Sequence, residues 1–329
     1  MNKIGVIGAG AWGTALAQVY AAAGRDVTLW VREAEVVTAV NERHENTLFL
    51  PGVSLDERLK ASGDLGDVAA CDVILLVTPA QHMRSSLADL KALLDVQTPL
   101  VICSKGIELK TGLLLSQVAR DVLPEAKLAV LTGPTFAIEV AKGLPAAVTL
   151  ACEDEALAQD LQDMLGLPHF RPYLSADMIG AQVGAALKNV IAIACGIIEG
   201  RGLGENARAA LLTRGIAEMG RLAEALGGCK ETLSGLCGIG DLVLTASSMQ
   251  SRNFSFGAAL GRGEAIEEIL KARTGVTEGF YTAKAAADLA EKLGVDMPIA
   301  AALNGLLNEG LSVDAVIQDM LNRPFKEER

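Results

Sequence analysis

A lysine stands in the middle of an otherwise apolar run, GAALKNVIAIACGII, at residues 184–198. An ammonium taken out of water costs several kcal/mol unless it is paired or sheds its proton. Desolvation would pull the pKa of Lys188 toward neutrality, turning a permanent cation into a group that can give and take a proton. On a helical wheel Ala181, Gly184, Ala185, Ala192 and Cys195 share its face, and all are small. Such a stripe leaves room for close helix packing or for a ligand beside the amine. The plainer reading is a lysine that snorkels to the surface or pairs with an internal acid. Asp241, in the turn CGIGDLVLT, is a candidate partner, and its own plainer reading is a helix cap or turn acid.

A second signal lies in KIGVIGAGAWGTALA, where Gly8, Gly10 and Gly13 form G-x-G-x-x-G after an apolar strand and before a helix. The first glycine permits a tight turn, the second lets backbone approach a pyrophosphate, and the third lets helix and strand pack closely. Arg32 falls nineteen residues beyond Gly13, where NAD-selective sites place an acid on the ribose hydroxyls. A guanidinium there can clamp a 2′-phosphate, so NADP(H) should be accepted, although the neighbouring Glu33 would reverse that preference after a one-residue shift. Lys105 in VICSKGI and Gly133, Pro134 and Thr135 in VLTGPTFA follow apolar strands, and strand ends are where open α/β sheets gather ligands. Ser251, Arg252 and Asn253 offer a hydroxyl, a guanidinium and an amide in sequence at a helix start, the makings of a phosphate cradle or of a plain polar helix entry. Val276 and Glu278, in TGVTEGF, precede another helix.

These groups need a scaffold, and the amino-terminal half supplies one. Apolar runs at Ile4–Ile7, Val27–Trp30, Val73–Val77, Leu100–Cys103, Leu128–Leu131 and Ala147–Leu150 alternate with amphipathic segments at Thr14–Ala23, Met83–Leu94, Gly112–Val122 and Glu155–Leu165. That alternation predicts βαβ units in an α/β, doubly wound parallel sheet of the Rossmann type over residues 1–175. From about Ala176 the strand pattern stops, and helical periodicity over 176–199, 206–226, 279–293 and 299–309 predicts an all-α domain over 176–329. The absence of a low-complexity linker suggests that the halves pack tightly, and the charged tail KEER is expected to fray.

With 329 residues, two domains are the default expectation, and 50% hydrophobic but only 4% aromatic content suits helices and parallel strands. A net charge of −11 argues against nucleic acid and anionic membranes as partners. The six cysteines lie in apolar runs with no C-x-x-C pair, as reduced, buried cytoplasmic thiols would, and the three histidines have no metal-ligand spacing. The first strand begins near Lys3, leaving no room for a signal peptide, and no apolar stretch reads as a membrane span. A cytoplasmic protein without metal or membrane insertion is expected.

Taken together the chain resembles the bacterial-type NAD(P)-dependent glycerol-3-phosphate dehydrogenases. The resemblance rests on GAGAWGTALA, SKGIE, GPTFAIEVA, ALKNVIAIACGI, ARAALLTRGIAEM, GIGDLVLT, SRN and TEG, in the family's order from residue 5 to about residue 280. It implies interconversion of dihydroxyacetone phosphate and sn-glycerol 3-phosphate with NADP(H) or NAD(H), for phospholipid synthesis. Carried over by position, it makes Lys188 the proton acceptor in oxidation and Lys105 a contact to cofactor and substrate. Gly133, Thr135, Asp241, Ser251, Arg252 and Asn253 would meet the substrate. Gly8, Gly10, Ala11, Trp12, Gly13, Arg32, Ala137, Arg252, Val276 and Glu278 would meet the cofactor. Ala11 departs from the serine of many relatives and loses one hydroxyl donor to the pyrophosphate. With the apolar second half, the resemblance also implies a homodimer. Two other readings share the glycine fingerprint: a keto-acid reductase of the ketopantoate reductase or β-hydroxyacid dehydrogenase type, whose carboxylate substrates give no reason for SRN, and a non-catalytic NAD(P)H sensor, which needs no amine in a lined cavity.

Overall fold

The computed structural model describes residues 3–273, 275–324 and 327. Apart from Glu327, the tail expected to fray lies outside them. Among the described residues there are ten strands: β1 (Lys3–Ile7), β2 (Asp26–Trp30), β3 (Glu45–Asn46), β4 (Leu50–Ser54), β5 (Lys60–Ser62), β6 (Val73–Leu76), β7 (Leu100–Ile102), β8 (Leu128–Thr132), β9 (Ala146–Ala151) and β10 (Phe170–Ser175). Eight of them form one sheet in the order β10-β9-β8-β7-β6-β1-β2-β5, and β3 and β4 form a separate antiparallel hairpin. From β1 the chain winds one way through β2 and β5 and the other way from β6 onward, so the switch point lies between β1 and β6, where doubly wound sheets bind ligands. The sheet departs from a purely parallel one in a single pairing, β8 with β9, which is antiparallel; β9 and β10 then run parallel to each other.

Both sheet edges are blunted. Beside β5, Asn41 donates to the Ala61 carbonyl at 2.9 Å and accepts from its N–H at 2.8 Å. On β10, Pro172 has no N–H and its carbonyl accepts from Gln162 Nε2 at 2.9 Å, while Phe170 is paired in both directions with Leu167. Neither edge presents the open ladder that would template a further strand.

Beyond Ser175 the described residues are helical. The central helix, Met178–Arg201, is capped by Asp177, whose Oδ1 accepts from Gly180 N at 2.8 Å and whose Oδ2 accepts from Cys229 N and Thr232 Oγ1. By length and hydropathy this helix could cross a membrane, contrary to the expectation that no stretch would qualify, yet 94% of its most apolar window is buried by protein, which marks a core helix. The core of the helical half includes Ile107 and Leu114 from the loop after β7, and one core of the sheet half includes Met178, Ala181 and Cys237, so the two halves interpenetrate. The cysteines are all free, and Cys229 departs from the expected burial by being exposed.

Candidate active site

The glycine turn sits at the switch point. Gly8 adopts φ +113°, and a Cβ there would stand 2.9 Å from the Val77 carbonyl carbon at the end of the neighbouring strand. A Cβ on Gly13 would lie 1.8 Å from the Gly8 carbonyl, whereas one on Gly10 would meet nothing within 4 Å. The turn is therefore closed against itself at Gly8 and Gly13 and open at Gly10. Helix Ala11–Ala22 begins there with no side-chain cap, leaving its first N–H groups for an anion. The turn is pinned from behind by Asn46 of β3, whose Nδ2 donates to the Ala9 carbonyl at 3.0 Å and to Thr14 Oγ1 at 2.9 Å.

Lys188 is 5% exposed on the central helix and Asp241 is fully buried on the short helix Asp241–Thr245. They meet because a Cβ on Gly184 would stand 2.5 Å from the Cys237 carbonyl: the stripe of small residues admits the Leu236–Gly240 turn against the helix. Lys188 Nζ donates to Asp241 Oδ1 at 2.6 Å and to Thr245 Oγ1 at 2.9 Å. Lys105 Nζ donates to the other carboxylate oxygen at 2.7 Å and to the Gly133 carbonyl at 3.2 Å, which also accepts from Thr135 Oγ1 at 3.1 Å. Two amines share one carboxylate, so with both protonated the trio carries one net positive charge, suited to an anionic substrate. Burial pulls the Lys188 pKa down to about 7, against the opposing pull of Asp241 and with help from Lys105.

The Lys105 loop is braced on both sides. Ser104 Oγ donates to the Leu76 and Thr78 carbonyls at 3.1 and 2.5 Å, and Arg84 grips Glu108 through two 2.9 Å bonds. The Lys105 amine stands 6.0 Å from the Trp12 ring centroid, linking the cluster to the glycine turn. Glu278 Oε1 accepts from Ala80 N at 3.3 Å, and burial raises its carboxyl pKa to about 7. Its Oε2 and the Trp12 indole N–H are buried polar atoms with no partner. With the open face of Gly10, those orphaned groups fit a dinucleotide lying along the switch point.

The other residues singled out in the sequence take the following places. Ala11 opens the helix after the glycine turn, and Ala137 is the first residue of helix Ala137–Ala141, following the Gly133–Thr135 turn. Arg32 is exposed just past β2, three strand positions from the loop after β7, about 14 Å at the usual spacing. Val276 is half-buried before helix Glu278–Leu293. Ser251 and Asn253 differ from a free cradle. Ser251 Oγ caps helix Arg252–Gly261 by accepting from Phe254 N at 3.2 Å. Asn253 Nδ2 donates to Asn189 Oδ1 at 2.9 Å, and its Oδ1 accepts from Gly279 N at 3.1 Å. Only Arg252 of the three keeps an exposed side chain. Thr245, Asn46 and Glu108 escaped the sequence reading; Thr245 was the findable one, four residues past Asp241 on the same helical face.

The chain matches two family models, the NAD-dependent glycerol-3-phosphate dehydrogenase N-terminus over residues 3–158 and its C-terminus over 177–318. A glycerol-3-phosphate dehydrogenase (NAD(P)+) of Parvibaculum lavamentivorans is 54% identical over 327 residues, 99% of this chain and 98% of the relative. One from Caulobacter vibrioides is 55% identical over 99% of both chains. The crystal structure of glycerol-3-phosphate dehydrogenase from Coxiella burnetii superposes with a TM-score of 0.94 at 40% identity, covering 98% of this chain and 99% of that one. With both halves matched and the relatives aligned end to end, the chain belongs to the NAD-dependent glycerol-3-phosphate dehydrogenase family.

Proposed function

We propose that the protein interconverts dihydroxyacetone phosphate and sn-glycerol 3-phosphate with NAD(P)(H), the nicotinamide supplying or accepting the hydride, and so provides glycerol 3-phosphate for phospholipid synthesis. The observation that carries this reading is the sealed amine of Lys188, with a pKa of about 7, on a carboxylate shared with Lys105. Reduction of a ketone leaves negative charge on oxygen, and protonated Lys188 stabilises and then neutralises it. In oxidation the neutral amine takes the alcohol proton. Asp241 and Thr245 fix the amine in place, and Lys105 balances the Asp241 carboxylate when Lys188 has given up its proton, leaving the trio neutral rather than anionic. Arg252, with the donor hydrogens that Ser251 and Asn253 still have to give and with Gly133 and Thr135, holds the substrate, its phosphate anchored away from the reacting carbon. Gly8, Gly10, Ala11, Trp12, Gly13, Arg32, Lys105, Ala137, Arg252, Val276 and Glu278 hold the cofactor, and Arg32 favours a 2′-phosphate.

The same reading divides the chain into a dinucleotide-binding domain at 1–175 and a substrate-binding domain at 176–329, in a cytoplasmic homodimer. The direct test incubates purified protein and NADPH or NADH with dihydroxyacetone phosphate, ketopantoate and a β-keto acid, following nicotinamide absorbance. Oxidation with the phosphorylated ketone alone is expected; faster turnover of either keto acid overturns the assignment.

A further inference from the structure

Residues 272–277 join helix Ile266–Lys271 to helix Glu278–Leu293, and two of them grip Arg252 from opposite ends. Arg273 Nη1 donates to the Arg252 main-chain carbonyl at 2.6 Å, and Nη2 donates to Ser255 Oγ at 3.1 Å, both in the first turn of helix Arg252–Gly261. The same guanidinium lies 5.6 Å from the Phe256 ring centroid, within cation–π range. At the other end, a Cβ on Gly275 would stand 2.5 Å from Arg252 Nη1, and Gly275 adopts φ +103°. Only glycine lets the main chain back the guanidinium this closely. Val276 and Glu278 follow directly. One brace therefore sets the Arg252 main chain, the direction of its side chain and the start of the segment that carries the other two cofactor contacts of the helical half.

We infer that Arg273 is a positioning residue for Arg252: it holds the guanidinium where the phosphate of substrate and cofactor must be met. The inference rests on the phosphate-binding reading of Arg252 above. Arg273 suits the task because its planar fork reaches a carbonyl and a hydroxyl at once while stacking on an aromatic ring, which a lysine cannot do. A flexible arginine would pay its ordering cost at each binding event; a braced one has paid it on folding.

Steady-state kinetics on the full-length enzyme test this through a double-mutant cycle. Arg273→Ala is expected to raise the KM for dihydroxyacetone phosphate on the order of tenfold while leaving kcat within about twofold. Arg273→Lys should recover only part of the loss. In an Arg252→Ala background, Arg273→Ala should cost nothing further, because a residue that acts through another has no effect once the other is gone. Independent, additive penalties overturn the inference. So does an unchanged KM in Arg273→Ala when Arg252→Ala is itself impaired. If Arg252→Ala leaves the KM for dihydroxyacetone phosphate untouched, the reading of Arg252 fails first and takes the inference with it. Should Arg273→Ala not fold, Arg273→Gln, which keeps one amide fork, carries the same comparison.

Discussion

Lys188 answers to two opposing forces. Burial favours the neutral amine, Asp241 favours the ammonium, and the second cation, Lys105, tips the balance back, so the group titrates at about 7 where an exposed lysine titrates at 10.5. Its sign of action follows. Ketone reduction needs the protonated amine, so kcat/KM in that direction should fall as pH rises through about 7. Alcohol oxidation needs the neutral amine, so its kcat/KM should rise through the same midpoint. Rate profiles in both directions check this, together with Lys188→Ala, which should keep cofactor binding and lose turnover by a factor of about 10² to 10⁴. Coincident limbs of equal slope and sign, or near-normal turnover in the variant, would remove Lys188 from the mechanism. The residue stood out in the sequence because a charge in an apolar helix is costly, although a snorkelling or acid-paired lysine leaves the same signal. Thr245 could be found only through Asp241, four residues before it on one helical face, because a threonine by itself costs nothing where it stands.

Element by element, the sequence carried six strands of the sheet, β1, β2 and β6 to β9, and the four longest helices of the second half, but not the pieces that lack a periodic pattern. β10 hides behind Pro172, β5 has three residues, and β3 has two. The reversal of β9 was illegible for a different reason: alternation and burial read the same for a strand running in either direction. The smallest of these elements supports the chemistry. β3 exists to place Asn46, whose Oδ1 accepts from Phe49 N at 3.1 Å while its Nδ2 holds both Ala9 O and Thr14 Oγ1 behind the glycine turn. Asn46→Ala removes these bonds from a fully enclosed site and should cost about 1–3 kcal/mol of stability. The turn loosened, NADPH affinity measured by fluorescence titration should fall on the order of tenfold while kcat at saturation holds. Unchanged affinity would reduce the hairpin to a cover.

At the scale of the molecule, a chain of net charge −11 draws the Lys188 and Lys105 cations inward and buries acids among its helices. Glu218 is the clearest of these acids. Lying 3% exposed on helix Glu205–Ala225, it accepts from Ile299 N at 2.7 Å and Ala300 N at 3.3 Å and so caps helix Pro298–Asn308. Helix N–H groups favour the carboxylate, yet burial outweighs them and raises the pKa from 4.5 to about 7. A raised folded-state value means that the folded protein holds this proton more tightly than the unfolded chain does. Its contribution to stability is therefore complete below about pH 4.5 and is lost as pH rises to about 7, an effect of about 3 kcal/mol. Glu278 and Lys188 also titrate near 7, so the pH profile of the whole protein blends several groups. A difference isolates one. Glu218→Gln keeps an oxygen for Ile299 N, loses an acceptor for Ala300 N and cannot ionise. Its stability relative to the parent should be lowest at pH 5 and climb steadily to pH 8, as the parent alone takes on a buried charge. Unfolding midpoints of both proteins across that range decide the matter: a constant offset would mean that the carboxyl is neutral throughout or solvated when charged, and that the packing of the two helices does not depend on its proton.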